Sequence, residues 1–372
     1  MKKILLSFLA MVLLPAFAES RFILDCTGMS AATALSNVEP FLAIPGAIEA
    51  VVVGPLFKTH RGPSDRSGIV YDFTDTGGTF LRGSYTTAFG TGDDLRAFAV
   101  QLAEKGVHVW SKVNPYLQER GYDRSFWASS DFTVDSQQFG PPLVVDIRSG
   151  STVSKLDRIA GTLSHLPVDR WLVELDGLPP ELADDYERFT ADHFRKASAL
   201  RQYGTNVTPG ACCAGEFWTL REEVFRPGEG DFFRLTNFVI NESCVAYAAS
   251  DSTSVVNLGA IAFLSAKKPL VLIDIAVARS LGSDALAVLS DLYGGKVAVP
   301  SDSQFLIAGK QRFFALNLAD ECAWFDIPWS DTASGTWKSL TGSGMLTAEK
   351  TGAGVFLIPH GLGIWKSWTA TN

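Results

Sequence analysis

Apolar residues follow two rhythms along this chain, and the change from one to the other divides it. Short apolar runs predict strands at Arg21–Gly28, Ile48–Phe57, Val107–Asn114, Trp171–Gly177, Gly210–Trp218, Phe233–Ile240 and Pro269–Ile275. Several are apolar at nearly every position, as expected of parallel strands covered by helices. Amphipathic segments lie between them. Asp93–Lys105 places Leu95, Phe98, Ala99 and Leu102 at helical spacing and ends at Gly106. Val153–Leu166 repeats the pattern with Leu156, Ile159, Ala160 and Leu163, and Pro180–Tyr203 predicts a longer helix. Repeated strand–helix units over about 250 residues predict a (β/α)8 TIM-type barrel, with an open doubly wound sheet as the alternative. No glycine-rich nucleotide loop follows the first strand, which weakens the alternative.

Beyond Gly294 the helical period disappears. Short alternating segments take over at Gln304–Ala308, Arg312–Leu318, Ala323–Pro328, Gly335–Leu340, Gly354–Pro359 and Gly363–Trp368, separated by turn residues such as Gly309-Lys310 and His360-Gly361. That pattern predicts a small all-β sandwich over residues 296–372, after a barrel over residues 19–295.

The first 18 residues read differently. Lys2 and Lys3 precede an apolar run from Ile4 to Leu14, broken only by Ser7; Pro15 ends it, and Ala16-Phe17-Ala18 has the small-x-small form of a cleavage site. We expect a signal peptide cleaved near Ala18 and a periplasmic or extracellular product. An uncleaved anchor or a buried N-terminal helix is the alternative. No cysteine follows closely enough to suggest a lipoprotein, and no later segment is long and apolar enough for a stable membrane insertion.

Composition narrows the partners. The apolar fraction of 47% and charged fraction of 19% indicate a globular chain. A formal net charge of −8 without a basic run argues against nucleic acid or anionic lipid. The nine Trp and 25 Phe can fill a core or form platforms for sugar rings, and number alone does not choose. The five cysteines are Cys26, Cys212, Cys213, Cys244 and Cys322. An oxidising compartment would allow disulfides, for instance one of the adjacent pair with Cys244, but an odd count leaves one over, and buried free thiols are an equal reading. There is no CxxC, and the five histidines are scattered, so neither a metal site nor a cofactor is expected.

Three segments carry candidate chemistry. In Trp171-Leu172-Val173-Glu174-Leu175-Asp176-Gly177, strand alternation points Glu174 and Asp176 the same way, with Asp176 at the C-terminal strand end where barrels place catalytic groups. A carboxylate there can serve as nucleophile, with a second acid roughly 5–10 Å away to protonate the leaving oxygen. A helix cap or loop-ordering role is the alternative. In Val107–Pro115, Trp110, Lys112 and Asn114 share a facing and are candidate substrate-binding residues; Lys112 could equally be a satisfied core lysine, paired with Glu174. In the third segment, Glu216 sits among small and aromatic residues that would raise its pKa, as a general acid requires. Asp231 is a further candidate acid, and Arg234 could hold a sugar oxygen; an ordinary loop position and a structural ion pair are the plainer readings.

The segment Trp171–Gly177 resembles the fourth-strand motif of the α-galactosidase-like retaining glycoside hydrolases, a Lys-x-Asp. "LGAIAFLSAKKPLVLIDI" (Leu258–Ile275) is similar to their eighth barrel unit, ending in Asp274. Phe313–Trp329 and His360–Trp368 resemble the start and close of their C-terminal β-sandwich. The resemblance implies a barrel hydrolase with Asp176 as nucleophile and a carbohydrate substrate. Three departures matter. Glu174 stands where a lysine is expected, and a like charge disfavours an ionised Asp176. No acid follows Arg234 in Leu235-Thr236-Asn237-Phe238, and the N-terminal Gly-Trp-Asn-Ser motif is absent. An exported glycoside hydrolase-like protein is therefore expected, with a catalytically inactive barrel that binds a glycan or cell-envelope component as the alternative, and a purely structural envelope protein behind both.

Overall fold

Six of the predicted apolar runs overlap strands of a parallel sheet, to which Val245–Ala248 adds a seventh. A computed structural model of the chain describes residues 21–56, 87–118, 124–194, 216–220, 245–248, 255–327 and 337–367, apart from gaps of one or two residues. The predicted leader, and the predicted strand at Phe233–Ile240, lie outside the described residues. The barrel-type strands are β1 (Arg21–Asp25), β2 (Ile48–Val53), β3 (His108–Val113), β6 (Arg170–Glu174), β7 (Glu216–Leu220), β8 (Val245–Ala248) and β9 (Leu270–Asp274). Between β3 and β6 a small antiparallel pair intervenes, β4 (Leu117–Gln118) and β5 (Leu143–Val144). The chain divides into two compact units. One comprises residues 24–39 and 50–223; the other comprises 1–23, 40–49 and 224–372.

In the first unit, β2 pairs in parallel with β3, β3 with β6, and β6 with β7. β1 continues this run beside β2. The side chains of β2, β3 and β6 are buried almost throughout: Val51, Val52, Val53, Val109, Trp110, Val113, Trp171, Leu172 and Val173 are each at most 1% exposed. That is the burial expected of strands covered on both faces.

The helices begin and end for local reasons. Helix Gly92–Ala103 is opened by Thr91, whose hydroxyl accepts from the Asp94 amide at 3.2 Å while the Asp94 carboxylate accepts from the Thr91 amide at 2.7 Å. It buries Leu95, Phe98 and Leu102, and Gly106, at φ +71°, turns the chain into β3. Helix Gly150–Leu163 wraps its first turn around Asp131, a fully buried carboxylate that accepts from Ser151, Thr152 and Lys155.

Of the long helix predicted over Pro180–Tyr203, Pro180–Phe189 is a regular α-helix and Thr190–Phe194 a π-turn, while residues 195–203 lie outside the described residues. Thr190 Oγ1 donates to the Tyr186 carbonyl at 2.7 Å and lies 2.6 Å from the buried Tyr116 hydroxyl. A threonine bonding back one turn loosens the helical ladder at that point.

The second unit holds the parallel pair β8–β9 and eight antiparallel strands. β10 (Lys296–Ser301), β11 (Gln304–Ala308), β12 (Arg312–Asn317), β17 (Gly361–Ser367) and β14 (Trp337–Gly342) form one sheet in that order. β13 (Ala323–Asp326), β16 (Gly352–Leu357) and β15 (Met345–Glu349) form another. β10 and β15 were not anticipated; their few apolar positions leave little period to read. The two sheets share one core: Leu306, Ala308, Phe313, Ala315 and Trp365 meet Ala323, Phe325, Val355 and Leu357.

The five-stranded sheet is buried on its other face as well. Phe305, Phe314 and Leu316 point away from that core toward helix Val255–Lys267, where Phe263 meets Phe305 edge-to-face at 5.9 Å. Gly259 is the point of closest approach. A Cβ placed there would lie 2.5 Å from Leu316 Cδ2. Gly259→Val should therefore destabilise the chain by about 1–3 kcal/mol through overpacking, read as a lower urea midpoint. Gly150→Ala, at a helix start with open space around it, should move the midpoint little. Equal midpoints for Gly259→Val and wild type would refute this contact.

Candidate functional site

β1, β3 and β6 each end in polar residues after an apolar run, and parallel pairing brings those ends to one edge of the sheet. Asp25 is the last residue of β1, Lys112 the last but one of β3, and Glu174 the last of β6. Lys112 Nζ donates to Asp25 Oδ2 at 2.7 Å and lies 3.9 Å from Glu174 Oε1. All three side chains are at most 10% exposed. Asp25 is further fixed by the Thr27 amide, which donates to Oδ1 at 2.9 Å. Burial alone would raise the Asp25 pKa, but the Lys112 ammonium and the Thr27 amide outweigh it and hold the carboxyl below its ordinary value.

A second layer lies two residues back along the same strands. Trp110 and Arg170 are register partners on β3 and β6, and the Arg170 guanidinium sits 4.5 Å from the centre of the Trp110 ring. Strand alternation gives Trp110, Lys112, Arg170 and Glu174 one facing. This face thus stacks a cation–π pair beneath an ion-paired lysine.

The sequence candidates separate clearly. Lys112 and Glu174 come together, as the pairing reading expected, though Lys112 is closer to Asp25. Trp110 is buried, at 1% exposed, beneath Arg170. Asn114 is buried at the end of β3, and its Oδ1 accepts from the Tyr116 and Leu117 amides, both at 3.2 Å. Its carbonyl oxygen therefore orders the turn that follows. Glu216 opens β7, in register with Arg170, whereas Glu174 pairs with Leu220 four residues on. A rise of about 3.3 Å per residue sets Glu216 about 13 Å along the strands from the level of Glu174. The predicted strand ran over Gly210–Trp218, of which residues 210–215 lie outside the described residues. Asp176, Asp231 and Arg234 lie outside the described residues.

Asp25 was not singled out in the sequence, although Phe22-Ile23-Leu24-Asp25 has the same apolar-run-then-acid form as Val173-Glu174. Asp274, which ends β9, caps the next helix: its Oδ1 accepts from the Ala276 amide at 2.7 Å. Cys26 is buried and Cys322 is an exposed free thiol; the other three cysteines lie outside the described residues. Among the described residues there is no cluster of His, Cys, Asp or Glu able to hold a metal ion, and no helix long and apolar enough to cross a membrane.

The fold is that of the α-amylase-type barrel glycoside hydrolases. An Anoxybacillus α-amylase superposes with a TM-score of 0.58 at 10% identity, covering 96% of this chain and 99% of its own. A maltogenic α-amylase from Thermotoga neapolitana gives 0.55 at 11% identity, covering 95% and 99%. The Geobacillus thermoleovorans α-amylase, solved with acarbose, gives 0.54 at 10% identity, again covering 95% and 99%. At such identities the likeness defines the fold alone. No family model matches the chain, and no curated protein matches it.

Lys112→Met would leave Asp25 and Glu174 buried without their shared cation, at a cost of about 3–5 kcal/mol. Asp25 has a depressed folded-state pKa, so its stabilisation is full above the unfolded carboxylate range, near about pH 4, and is lost as the pH falls through the lower folded value. The urea midpoint of Asp25→Asn should accordingly fall less than that of wild type between about pH 5 and about pH 3. Parallel profiles for the two proteins would show that Asp25 does not carry this charge-dependent stability.

Proposed function

We propose that this chain is an exported glycoside hydrolase of the retaining type, made of a leader over residues 1–18, a barrel over 19–295 and a β-sandwich over 296–372, acting on a carbohydrate. The observation that carries the reading is the Lys112 cluster. In a barrel of this kind, chemistry belongs at the C-terminal strand ends, and that is where Asp25, Lys112 and Glu174 gather. Lys112 also offsets the negative charge of Glu174, the residue that would otherwise oppose ionisation of Asp176 two positions later. Asp176 is the proposed nucleophile. Glu216 and Asp231 are the two proposed candidates for the acid and base. Two carboxyls in these roles would form and then hydrolyse a covalent glycosyl intermediate.

The α-amylase solved with acarbose supports a ligand of linked sugars and suggests α-glucosides as the first substrates to test. The motif resemblance suggests α-galactosides as the second. Binding without hydrolysis is the other reading. It is favoured by Leu235-Thr236-Asn237-Phe238, which holds no acid where the resemblance expects one after Arg234.

A screen of aryl α- and β-glycosides decides between them. We expect turnover by wild type and a loss of at least about 10³-fold in Asp176→Asn, as for removal of a group that forms the covalent intermediate. Turnover that survives this substitution removes Asp176 from the mechanism. Absence of turnover on every glycoside, with a sugar still bound, establishes the binding reading.

A further inference from the structure

β13, in the three-stranded sheet, has one buried face and one open face, and the open face carries an aromatic surface that the core does not use. Along β13 the alternation is strict: Ala323 and Phe325 are buried, Trp324 and Asp326 exposed. Trp324 is 54% exposed, an unusual state for a large aromatic residue on a regular strand. Its register partner on β16 is Phe356, which is half-buried and therefore shares its face.

The indole is not loose. It packs against Gly354, where a Cβ would lie 2.1 Å from Cζ2 and 2.5 Å from Cε2, so only glycine leaves room for the ring. Its Nε1 donates to Asp326 Oδ1 at 3.2 Å. Glycine below and a carboxylate at the side hold the ring in one place on the sheet, with half its surface open to water. A fixed ring binds at a lower entropic cost than one that must be ordered. The free lone pairs of the Asp326 carboxylate stand at its edge as acceptors.

We propose that Trp324, with Phe356 beside it and Asp326 at its rim, is a carbohydrate-binding surface that stacks a neutral pyranose ring of a polysaccharide. The chemistry selects this occupant. The axial C–H face of a pyranose matches a flat ring, and its hydroxyls match a carboxylate acceptor. An acidic ligand would meet Asp326 and a chain of net charge −8. A purely apolar partner would have to desolvate the Asp326 carboxylate without pairing it. This surface shares no residue with the strand-end site and does not need that site to be catalytic.

The test is native affinity electrophoresis of the full chain in gels holding soluble starch or, separately, β-glucan. Trp324→Ala, Trp324→Phe and Asp326→Asn are run beside wild type. Trp324 is exposed, so Trp324→Ala should keep the wild-type circular dichroism and urea midpoint. Retardation of wild type in one polysaccharide should weaken about tenfold in Trp324→Ala, as for loss of a central aromatic anchor. It should be largely kept in Trp324→Phe and reduced in Asp326→Asn. Trp324→Ala should still cleave any aryl glycoside that wild type cleaves. If no aryl glycoside is cleaved while retardation depends on Trp324, the surface stands and the hydrolase reading falls. Unchanged retardation in Trp324→Ala, no retardation of wild type by either polysaccharide, or a dimer that dissociates on Trp324→Ala in size-exclusion chromatography would each overturn the proposal.

Discussion

Three ionisable side chains buried at one edge of a parallel sheet constrain much of what surrounds them. Lys112 cannot remain charged at that depth without partners, and Asp25 and Glu174 supply them from two other strands. The pairing works only if β1, β3 and β6 keep their register, because a one-residue slip would turn a side chain to the opposite face. The Thr27 amide holds Asp25 from the next turn, and Ser111, between Lys112 and Trp110, donates to the Val53 carbonyl at 2.8 Å. The charged cluster thus specifies alignment. Its net worth in stability is smaller, since desolvation offsets most of the Coulomb gain.

The other unit solves a different problem. A five-stranded antiparallel sheet would ordinarily show one face to water and read as a clean alternation. Here helix Val255–Lys267 covers the second face. That explains why Phe305-Leu306-Ile307-Ala308 and Phe313-Phe314-Ala315-Leu316 are apolar at every position and fully or nearly buried. It also explains why that helix is apolar around most of its circumference and needs Gly259 where it meets Leu316. The three-stranded sheet keeps the ordinary alternation, so its open face is where an exposed tryptophan stands out.

Much of this was legible in the sequence, and the misses have physical causes. Strands buried on both faces announce themselves, so β2, β3, β6, β9, β11 and β12 were found within a few residues of their bounds. β10 is mostly exposed and offers no apolar signal. The π-turn in the helix from Pro180 was not foreseen because side-chain period does not reveal a threonine that bonds back to its own backbone. At the site, Lys112 and Glu174 were named because each lies on a recognisable strand. Asp25 was missed because an acid ending a strand is common, and only the fold shows that its strand lies near that of Lys112. For Glu216 the strand bounds were the weak point: the predicted run ended at Trp218, and β7 is described over Glu216–Leu220.

The exchange at Glu174 shows what a motif can hide. Read along the strand, a carboxylate two residues before Asp176 replaces an expected cation, and the local charge is reversed. Read across the sheet, a cation is still present, on β3 in place of β6, 3.9 Å from the residue that displaced it. Coulomb energy depends on separation and dielectric, not on which strand supplies the charge. Asp25 then takes up the Lys112 charge that Glu174 does not satisfy, at the shorter distance of 2.7 Å. The cation that the linear motif lacks on β6 is therefore supplied across the sheet from β3, and its partners come from two strands in place of one.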